Sequence, residues 1–470
     1  MHLVILMNGM VCVLIGLLMA APMAADPGGA APFALAAFCA IAFGLALAIA
    51  ARGAENDFRA RHAFLLTASA WTTAAMVCAL PMMFAGLSAT DAFFESMSGL
   101  TTTGSTVLTG LDTMARGILV WRALTQWIGG IGIIVTGIAV LPFLRVGGMQ
   151  LFRAESSDKA DKELASAARF AAITLRVYVA LTALCAIAYA MGGMGGFDAV
   201  LHAMTTVSTG GFSTYDASIG HFGSPTIEWI AVVFMLSGSL PFVWYIRILN
   251  RGAWRSEQVT AYLGSLAAIV LGLAIWLALR HGETPSDALR MSAFNVVSVV
   301  TTTGFATVDY IAWGPFPVAV FFIITFFGGC TGSTSGGLKA MRLVIAVKAV
   351  RAAIRRIHNP HAVVVIRYEG RLVSDDVMGG MTAFLTFYTL TFAVLTLSLS
   401  MMGLDFQTAV SGAITALSNV GPGVGPIIGP AGNFSTLPDD AKWLLSLGML
   451  LGRLEVMTVL ALFTMGSLRP

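Results

Sequence analysis

Four short motifs of hydroxyl-bearing residues and glycine recur along this chain, each ending in a glycine. They are motif 1 (residues 101–104), motif 2 (208–211), motif 3 (301–304) and motif 4 (418–421). Aligned on the final glycine, all four carry a hydroxyl three residues earlier and another six residues earlier. A monovalent cation that sheds its water needs a cage of oxygen atoms, which backbone carbonyl groups can supply. The fourfold repeat therefore predicts an ion selectivity filter.

The last three residues of each motif are the predicted ion ligands. Glycine suits the final position, because turning consecutive carbonyl groups inward requires backbone angles that residues with a Cβ reach poorly. The expected cation-binding residues are Thr102, Thr103, Gly104, Thr209, Gly210, Gly211, Thr302, Thr303, Gly304, Asn419, Val420 and Gly421. Motif 4 departs from the threonine-rich pattern at Asn419 and Val420. Packing of small residues between membrane helices is the simpler interpretation, but it does not explain four matches in register.

A glycine-rich stretch interrupts an apolar run in the third repeat. Residues 317–327 are apolar, residues 328–337 contain five glycines, and residues 338–350 resume the apolar pattern. Backbone that lacks helical hydrogen bonds is tolerated at membrane depth only where protein or a water-filled cavity satisfies it. We expect this glycine loop (residues 328–337) to lie across the inner pore as a gate; a plain helix kink is the alternative. The gate glycines are Gly328, Gly329, Gly332, Gly336 and Gly337.

An arginine lies inside the last apolar segment. A charge at mid-membrane costs roughly 2.5–3.5 kcal/mol on insertion scales, so Arg453 should face a pore or a partner. Glu455 is two residues away and therefore on a different helix face. We expect Arg453 to stand beneath the filter and help to close the gate. The alternative is a snorkelling arginine near a helix end.

Composition indicates the medium in which these motifs lie. Of 470 residues, 57% are hydrophobic and only 11% are charged, with a mean hydropathy of +0.83. A soluble domain carries about 25% charged residues, so the chain is predicted to be a polytopic membrane protein. The first apolar run, residues 1–21, lacks a basic leading region and is longer than the roughly 7–15 residues of a signal peptide. It is therefore interpreted as a membrane helix.

The apolar segments predict how the motifs are positioned. Ten candidate spans cover residues 2–21, 33–51, 63–84, 117–144, 168–191, 226–249, 258–280, 315–349, 377–402 and 441–465. The legs that lead into and out of each motif are too short to cross a hydrocarbon core about 30 Å thick, so each loop should re-enter. The predicted fold is an all-α polytopic membrane protein with four pseudo-symmetric helix–pore loop–helix repeats around one pore. Two extra helices (residues 1–60) precede the repeats, which span residues 61–155, 156–255, 256–372 and 373–470.

Basic residues predict the orientation. They follow the even-numbered spans: Arg52, Arg59, Arg61, Arg145, Arg153, Lys159, Lys162, Arg247, Arg251, Arg255, Lys348, Arg351, Arg355, Arg356, Arg367 and Arg371. Short loops rich in Lys and Arg are cytoplasmic, so both termini are expected to be cytoplasmic. The motifs then enter from the outer side, where acidic residues such as Asp91 and Asp198 would concentrate cations.

The four motifs, the glycine loop and the Gly-Arg-Leu-Glu of residues 452–455 together resemble the Trk, Ktr and HKT superfamily of cation transporters. The resemblance is strongest to the TrkH family, the membrane subunits of bacterial Trk potassium uptake systems, because two helices precede the repeats. It implies potassium selectivity, since Gly104 stands where sodium-preferring plant relatives carry serine. It also implies a homodimer with one pore per subunit, gating by the glycine loop and Arg453, and a separate TrkA-like cytoplasmic subunit that binds nucleotides.

The expected function is potassium uptake across the bacterial inner membrane through a gated, channel-like filter. A sodium- or proton-coupled potassium symporter of the same fold is the alternative. Carriers break helices in paired positions, whereas the sequence indicates one broken span. An enzyme is not expected, because His358 and His361 lie in a basic loop and His202 stands alone. We expect potassium as the transported ion, no other bound cofactor and no nucleic-acid partner.

Overall fold

The fold is seen in a computed structural model, which describes residues 2–52, 60–140, 163–252, 254–362, 364–457 and 459. Five of the basic residues used to predict orientation lie outside these ranges, so their placement stays untested: Arg59, Arg145, Arg153, Lys159 and Lys162. The ends of the predicted spans 117–144 and 441–465 also lie outside the described residues.

The described chain is mainly helical and has almost no strand. In order, the helices are α1 (His2–Leu18), α2 (Ala20–Ala25), α3 (Ala30–Ala50), α4 (Ala60–Phe84), α5 (Ala89–Leu100), α6 (Arg116–Val140), α7 (Glu163–Met191), α8 (Gly196–Val207), α9 (Pro225–Ser239), α10 (Phe242–Arg251), α11 (Glu257–His281), α12 (Pro285–Val300), α13 (Pro315–Ile324), α14 (Ala340–His358), α15 (Asp375–Met401), α16 (Phe406–Ser418) and α17 (Asp439–Arg453). A small antiparallel hairpin, β1 (Arg367–Tyr368) with β2 (Arg371–Leu372), follows α14.

Long apolar helices agree with a membrane fold. Among the described residues, six helical segments are long and apolar enough to cross a membrane. They are His2–Ala25, Pro27–Ala50, Phe64–Phe84, Ala171–Met191, Glu257–His281 and Asp375–Met401. The two segments that precede the repeats pack closely through glycine, since a Cβ built on Gly9 or on Gly44 would lie under 3.0 Å from the other residue's carbonyl oxygen. Such small-residue contacts allow membrane helices to approach one another.

The predicted span 226–249 is not one straight helix. Helices α9 and α10 meet at 91°, with Leu240 in an extended conformation between them. Pro241 explains the break, because proline cannot donate an N–H to the helix and forces the residue before it out of the helical region. The expectation of a single broken span is therefore wrong. Two of the predicted spans are interrupted, residues 226–249 and residues 315–349.

The interruption in the third repeat is a loop rather than a kink. Helix α13 ends at Ile324 and α14 begins at Ala340. Two backbone hydrogen bonds join the two ends of the glycine loop, from Gly328 N to Leu338 O and from Leu338 N to Phe326 O, each 3.0 Å long. Because its ends are joined, the loop has a defined shape.

Four short helices lead directly into the four motifs. Helices α5, α8, α12 and α16 have 12, 12, 16 and 13 residues, so the shorter two reach roughly 18 Å at 1.5 Å per residue. Three of them begin with a side-chain N-cap, in which Ser88, Thr284 and Asp405 accept a hydrogen bond from a backbone N–H of the first turn. Such caps stabilise helix starts. Each motif therefore begins at the carboxyl end of a half-length helix.

Candidate functional site

The four motifs share one backbone conformation. Their second residues all have a left-handed φ, which is uncommon for residues other than glycine and costs about 1–3 kcal/mol. The φ angles are 53° at Thr102, 53° at Thr209, 58° at Thr302 and 55° at Asn419. The final glycines are also left-handed, with φ angles of 86°, 78°, 83° and 104° at Gly104, Gly211, Gly304 and Gly421. The alignment based on sequence is thus also an alignment of backbone geometry, including the divergent motif 4.

Each motif is tied to its own short helix by the same hydrogen bond. The N–H of the third motif residue donates to the carbonyl oxygen of the residue five positions earlier. These bonds run from Thr103 to Ser98 (2.8 Å), from Gly210 to Thr205 (2.9 Å), from Thr303 to Ser298 (2.9 Å) and from Val420 to Thr415 (3.1 Å). The carboxyl end of each short helix, which carries the negative end of the helix dipole, therefore abuts its motif.

The four motifs contact one another in a closed ring. Each final glycine faces the carbonyl oxygen of the third residue of the next motif, and a Cβ built on it would lie under 3.0 Å from that oxygen. The pairs are Gly104 with Gly210, Gly211 with Thr303, Gly304 with Val420, and Gly421 with Thr103. The order of contact is motif 1, 2, 3, 4 and back to 1. Glycine is required at all four positions because any side chain would displace a neighbouring backbone carbonyl.

Buried side chains reinforce the ring differently in different motifs. In motifs 1 and 3, the hydroxyls of the first and third residues pair at 2.7 Å: Thr101 with Thr103, and Thr301 with Thr303. In motif 4, Asn419 Nδ2 donates to Thr103 Oγ1 at 3.0 Å and to Met449 O at 2.9 Å. The asparagine that breaks the sequence pattern therefore joins motif 4 to motif 1 and to helix α17.

The glycine loop lies against the first or second residue of three motifs. Thr334 Oγ1 donates to Val207 O at 3.0 Å and accepts from Thr209 Oγ1 at 3.2 Å. Gly336 N donates to Thr302 Oγ1 at 2.7 Å, and a Cβ on Gly336 would lie under 3.0 Å from Ser418 O. The loop thus contacts motifs 2, 3 and 4 through buried atoms.

Glycine is needed at the five loop positions for two different local reasons. Gly332 and Gly337 have left-handed φ angles of 82° and 65°, which glycine adopts without steric cost. A Cβ on Gly328, Gly329 or Gly336 would lie under 3.0 Å from atoms elsewhere in the chain. The loop conformation therefore depends on all five.

Arg453 contacts the loop directly. Its side chain is 3% exposed, and Nη1 donates to Thr334 O at 2.9 Å. Glu455 instead pairs with Arg342, with Oε2 2.6 Å from Nη2. Arg453 is buried and bound to the glycine loop. It therefore does not fit the snorkelling alternative, in which the guanidinium reaches water.

Sequence reasoning missed a buried ion pair behind motifs 1 and 2. Glu95 on α5 and Arg122 on α6 are 0% and 2% exposed, with Nε 2.8 Å from Oε1. Glu95 also accepts from Val107 N at 2.9 Å, and Arg122 Nη1 donates to Ser213 O at 2.8 Å. The available signal was the presence of one acid and one base inside apolar segments.

Comparison with known proteins agrees with this architecture. The family model of the TrkH cation transport proteins matches residues 30–270 and 282–467. The chain is 47% identical over 441 residues to the Trk system potassium uptake protein TrkI of Halomonas elongata, covering 90% of this chain and 89% of that protein. It is 38% identical over 450 residues to the Trk system potassium uptake protein TrkH of Escherichia coli K12, covering 93% and 92%.

A solved structure has the same fold. The crystal structure of the potassium transporter TrkH from Vibrio parahaemolyticus superimposes with a TM-score of 0.91 at 33% sequence identity, covering 100% of both chains. Together with the long apolar helices, this similarity establishes a multi-pass helical membrane protein. The chain belongs to the TrkH family of cation transport proteins.

Proposed function

We propose that this protein mediates potassium uptake across the bacterial inner membrane, with motifs 1 to 4 as its selectivity filter. The closed ring of glycine–carbonyl contacts between the motifs carries the proposal. The ring brings backbone carbonyl oxygens of all four motifs close together, and such oxygens can replace the hydration shell of a potassium ion. Relatives at 47% and 38% identity are named potassium uptake proteins, which supports potassium as the ion.

The glycine loop and Arg453 form the gate in this proposal. The loop covers the inner ends of three motifs, so ions leaving the filter would meet it first. Opening requires the loss of the hydrogen bonds made by Thr334 and Gly336. A guanidinium charge bound to Thr334 O both holds the loop and repels an approaching cation.

Further parts of the proposal rest on the family resemblance. The protein works as a homodimer with one pore per subunit, both termini are cytoplasmic, and a nucleotide-binding cytoplasmic subunit controls the gate. The proposed boundaries of the four repeats are those predicted from the sequence. Uptake needs no coupling to a second ion, because each cation that enters across 100 mV gains about 2.3 kcal/mol.

One observation favours the coupled symporter as the second candidate. The breaks at Pro241 and at the glycine loop lie in corresponding second helices of neighbouring repeats, and carriers place binding sites between paired discontinuous helices. The two breaks are in contact, since Phe242 N donates to Gly332 O at 3.0 Å and Cys330 N donates to Ser239 O at 2.9 Å. Movement of one break would therefore move the other.

Ion flux into liposomes that contain only this protein tests the proposal. We expect passive rubidium or potassium uptake down its gradient, with sodium a poor competitor, and a larger flux from the Arg453→Ala variant. Protein-free liposomes give the background. Flux that appears only when a sodium or proton gradient is imposed would favour the symporter. Absence of potassium flux from both the parent and Arg453→Ala, in protein shown to be folded, would contradict the proposal.

A further inference from the structure

Motif 2 lacks a side chain that the other three motifs possess. Its third residue is Gly210, where the others carry Thr103, Thr303 and Val420. The backbone does not require glycine there, because Gly210 is absent from the residues with left-handed φ. It also makes the same N–H hydrogen bond to its short helix as its three counterparts. The missing side chain therefore leaves a space beside the ring.

Gln126 of helix α6, from the first repeat, fills this space. The three atoms nearest to a Cβ built on Gly210 all belong to the Gln126 carboxamide, each under 3.0 Å away. Its Nε2 donates to Gly210 O at 2.6 Å, and its Oε1 accepts from Phe212 N at 3.0 Å. Gln126 is fully buried, so both ends of its amide are used within the protein.

These two hydrogen bonds lie on either side of Gly211 in motif 2. Gly210 O and Phe212 N belong to the peptide groups on either side of Gly211, which as glycine has the widest choice of backbone angles. A carbonyl oxygen has two lone pairs, so Gly210 O can accept from Gln126 and still face an ion. Arg122, one helical turn earlier on α6, lies with its Cζ 4.1 Å from the Phe212 ring centroid, so the same helix contacts motif 2 and the residue that follows it at two neighbouring turns.

In motifs 1 and 3, a hydrogen bond within the motif itself holds the third residue. There the third-residue threonine pairs with the first-residue hydroxyl, in Thr101–Thr103 and Thr301–Thr303. Motif 2 retains the first-residue hydroxyl, Ser208, but has no partner for it at position 210. Instead, Ser208 Oγ donates back to Thr205 O at 3.2 Å.

We infer that Gln126 is a selectivity-determining positioning residue, which replaces the missing side chain of motif 2 and holds the Gly210 carbonyl in the ring. This inference rests on the proposed function, because it assigns Gln126 a role in the same filter. It also places a determinant of ion selectivity outside the four motifs, in the second helix of the preceding repeat.

A reciprocal exchange tests the inference. Gln126→Ala leaves the space empty, whereas Gly210→Thr forces a side chain against Gln126. Each single variant should lower the potassium-to-sodium flux ratio by about fivefold to tenfold, the effect of losing one buried hydrogen-bonded contact. The double variant should regain most of the ratio, because its threonine can pair with Ser208 as in motifs 1 and 3. Such recovery is non-additive, as expected for residues in direct contact.

Matched variants separate positioning from general packing. Gln126→Met fills the space without hydrogen bonds and should remain as poorly selective as Gln126→Ala. Gln407→Ala, at an exposed glutamine, should leave the ratio unchanged. If either single variant fails to fold, the double variant and Gln126→Met still decide the question.

The possible failures are distinguishable. A parent protein that does not prefer potassium would contradict the proposed function, and the inference would fall with it. A selective parent with a double variant no better than its worse single variant would overturn the role of Gln126 alone. Parental selectivity in Gln126→Met would likewise overturn it, because filling the space would then suffice.

Discussion

Arg453 Nη1 donates a hydrogen bond to the backbone oxygen of Thr334 over 2.9 Å. This contact joins the end of α17 to the middle of the glycine loop, 119 residues earlier in the chain. The Thr334 hydroxyl is bound on its other side to Val207 O and Gly238 O, each at 3.0 Å. The loop is thus held from two directions, by a charge on one side and by the second repeat on the other.

Removing the arginine should open the loop. We expect Arg453→Ala to raise basal potassium flux about tenfold or more, because a buried hydrogen bond from a charged group contributes roughly 1.5–3 kcal/mol and about 1.4 kcal/mol corresponds to a factor of ten. The measurement is rubidium uptake into liposomes at equal protein density. Arg280→Ala, at an exposed position at the end of α11, is the matched control. Unchanged flux in folded Arg453→Ala protein would make the arginine purely structural.

Replacing a ring glycine should weaken ion discrimination. A Cβ on Gly304 would lie under 3.0 Å from Val420 O and from Pro422 Cδ, so Gly304→Ser must move one quarter of the ring. We expect the potassium-to-sodium flux ratio to fall by about tenfold, equivalent to about 1.4 kcal/mol. Competition of sodium with rubidium uptake measures this ratio. Gly264→Ser is the control, because no atom lies within 4 Å of a Cβ there. A potassium-to-sodium flux ratio in Gly304→Ser equal to that of the parent would argue against the ring.

Local sequence predicted the features that depend on local chemistry. The register of the four motifs follows from neighbouring residues, since the left-handed second residue and the final glycine recur together. The break in the third repeat follows from its glycine content. The break at Pro241 carried a local signal as well, because proline restricts the residue before it. The hydropathy pattern gave no sign of this break, because the helices on both sides of it are apolar.

The contacts that join one repeat to another could not be read from one sequence. Gln126 and Gly210 are 84 residues apart, and Asn419 and Thr103 are 316 apart. Gln126 and Asn419 carry amide side chains in apolar surroundings, so it was evident from the sequence that both need hydrogen-bond partners. Which partners they find depends on how the repeats assemble, and no local pattern encodes that.

The hydroxyl of Thr334 should also contribute to closure. Thr334→Val keeps the volume of the side chain but leaves Val207 O and Gly238 O without this donor. We expect basal flux to rise about threefold to tenfold, the size of one lost buried hydrogen bond. The same rubidium assay measures it, with Thr382→Val as control, since that exposed hydroxyl bonds only within its own helix turn at Met378 O. A flux equal to the parent's would mean that the Thr334 hydroxyl does not help to keep the loop closed.

The buried pair of Glu95 and Arg122 should matter more for stability than for flux through an open gate. Removing one partner of a buried ion pair leaves an uncompensated charge and costs about 3–5 kcal/mol. We therefore expect Arg122→Gln to lower the unfolding temperature in detergent markedly. Glu95→Gln/Arg122→Gln should recover part of the loss, because two neutral amides can share the hydrogen bonds to Val107 N and Ser213 O.

The control for this prediction is a more exposed pair in the same protein. Arg290 is 20% exposed and lies 2.6 Å from the Glu228 carboxylate, so solvent screens its charge and Arg290→Gln should cost less than Arg122→Gln. Thermal unfolding of the three variants, followed by intrinsic tryptophan fluorescence, compares them directly. If the double variant is no more stable than Arg122→Gln, charge compensation is not the main role of the pair. The bonds to Val107 and Ser213 would then account for its importance, because they hold the segments that directly follow motifs 1 and 2.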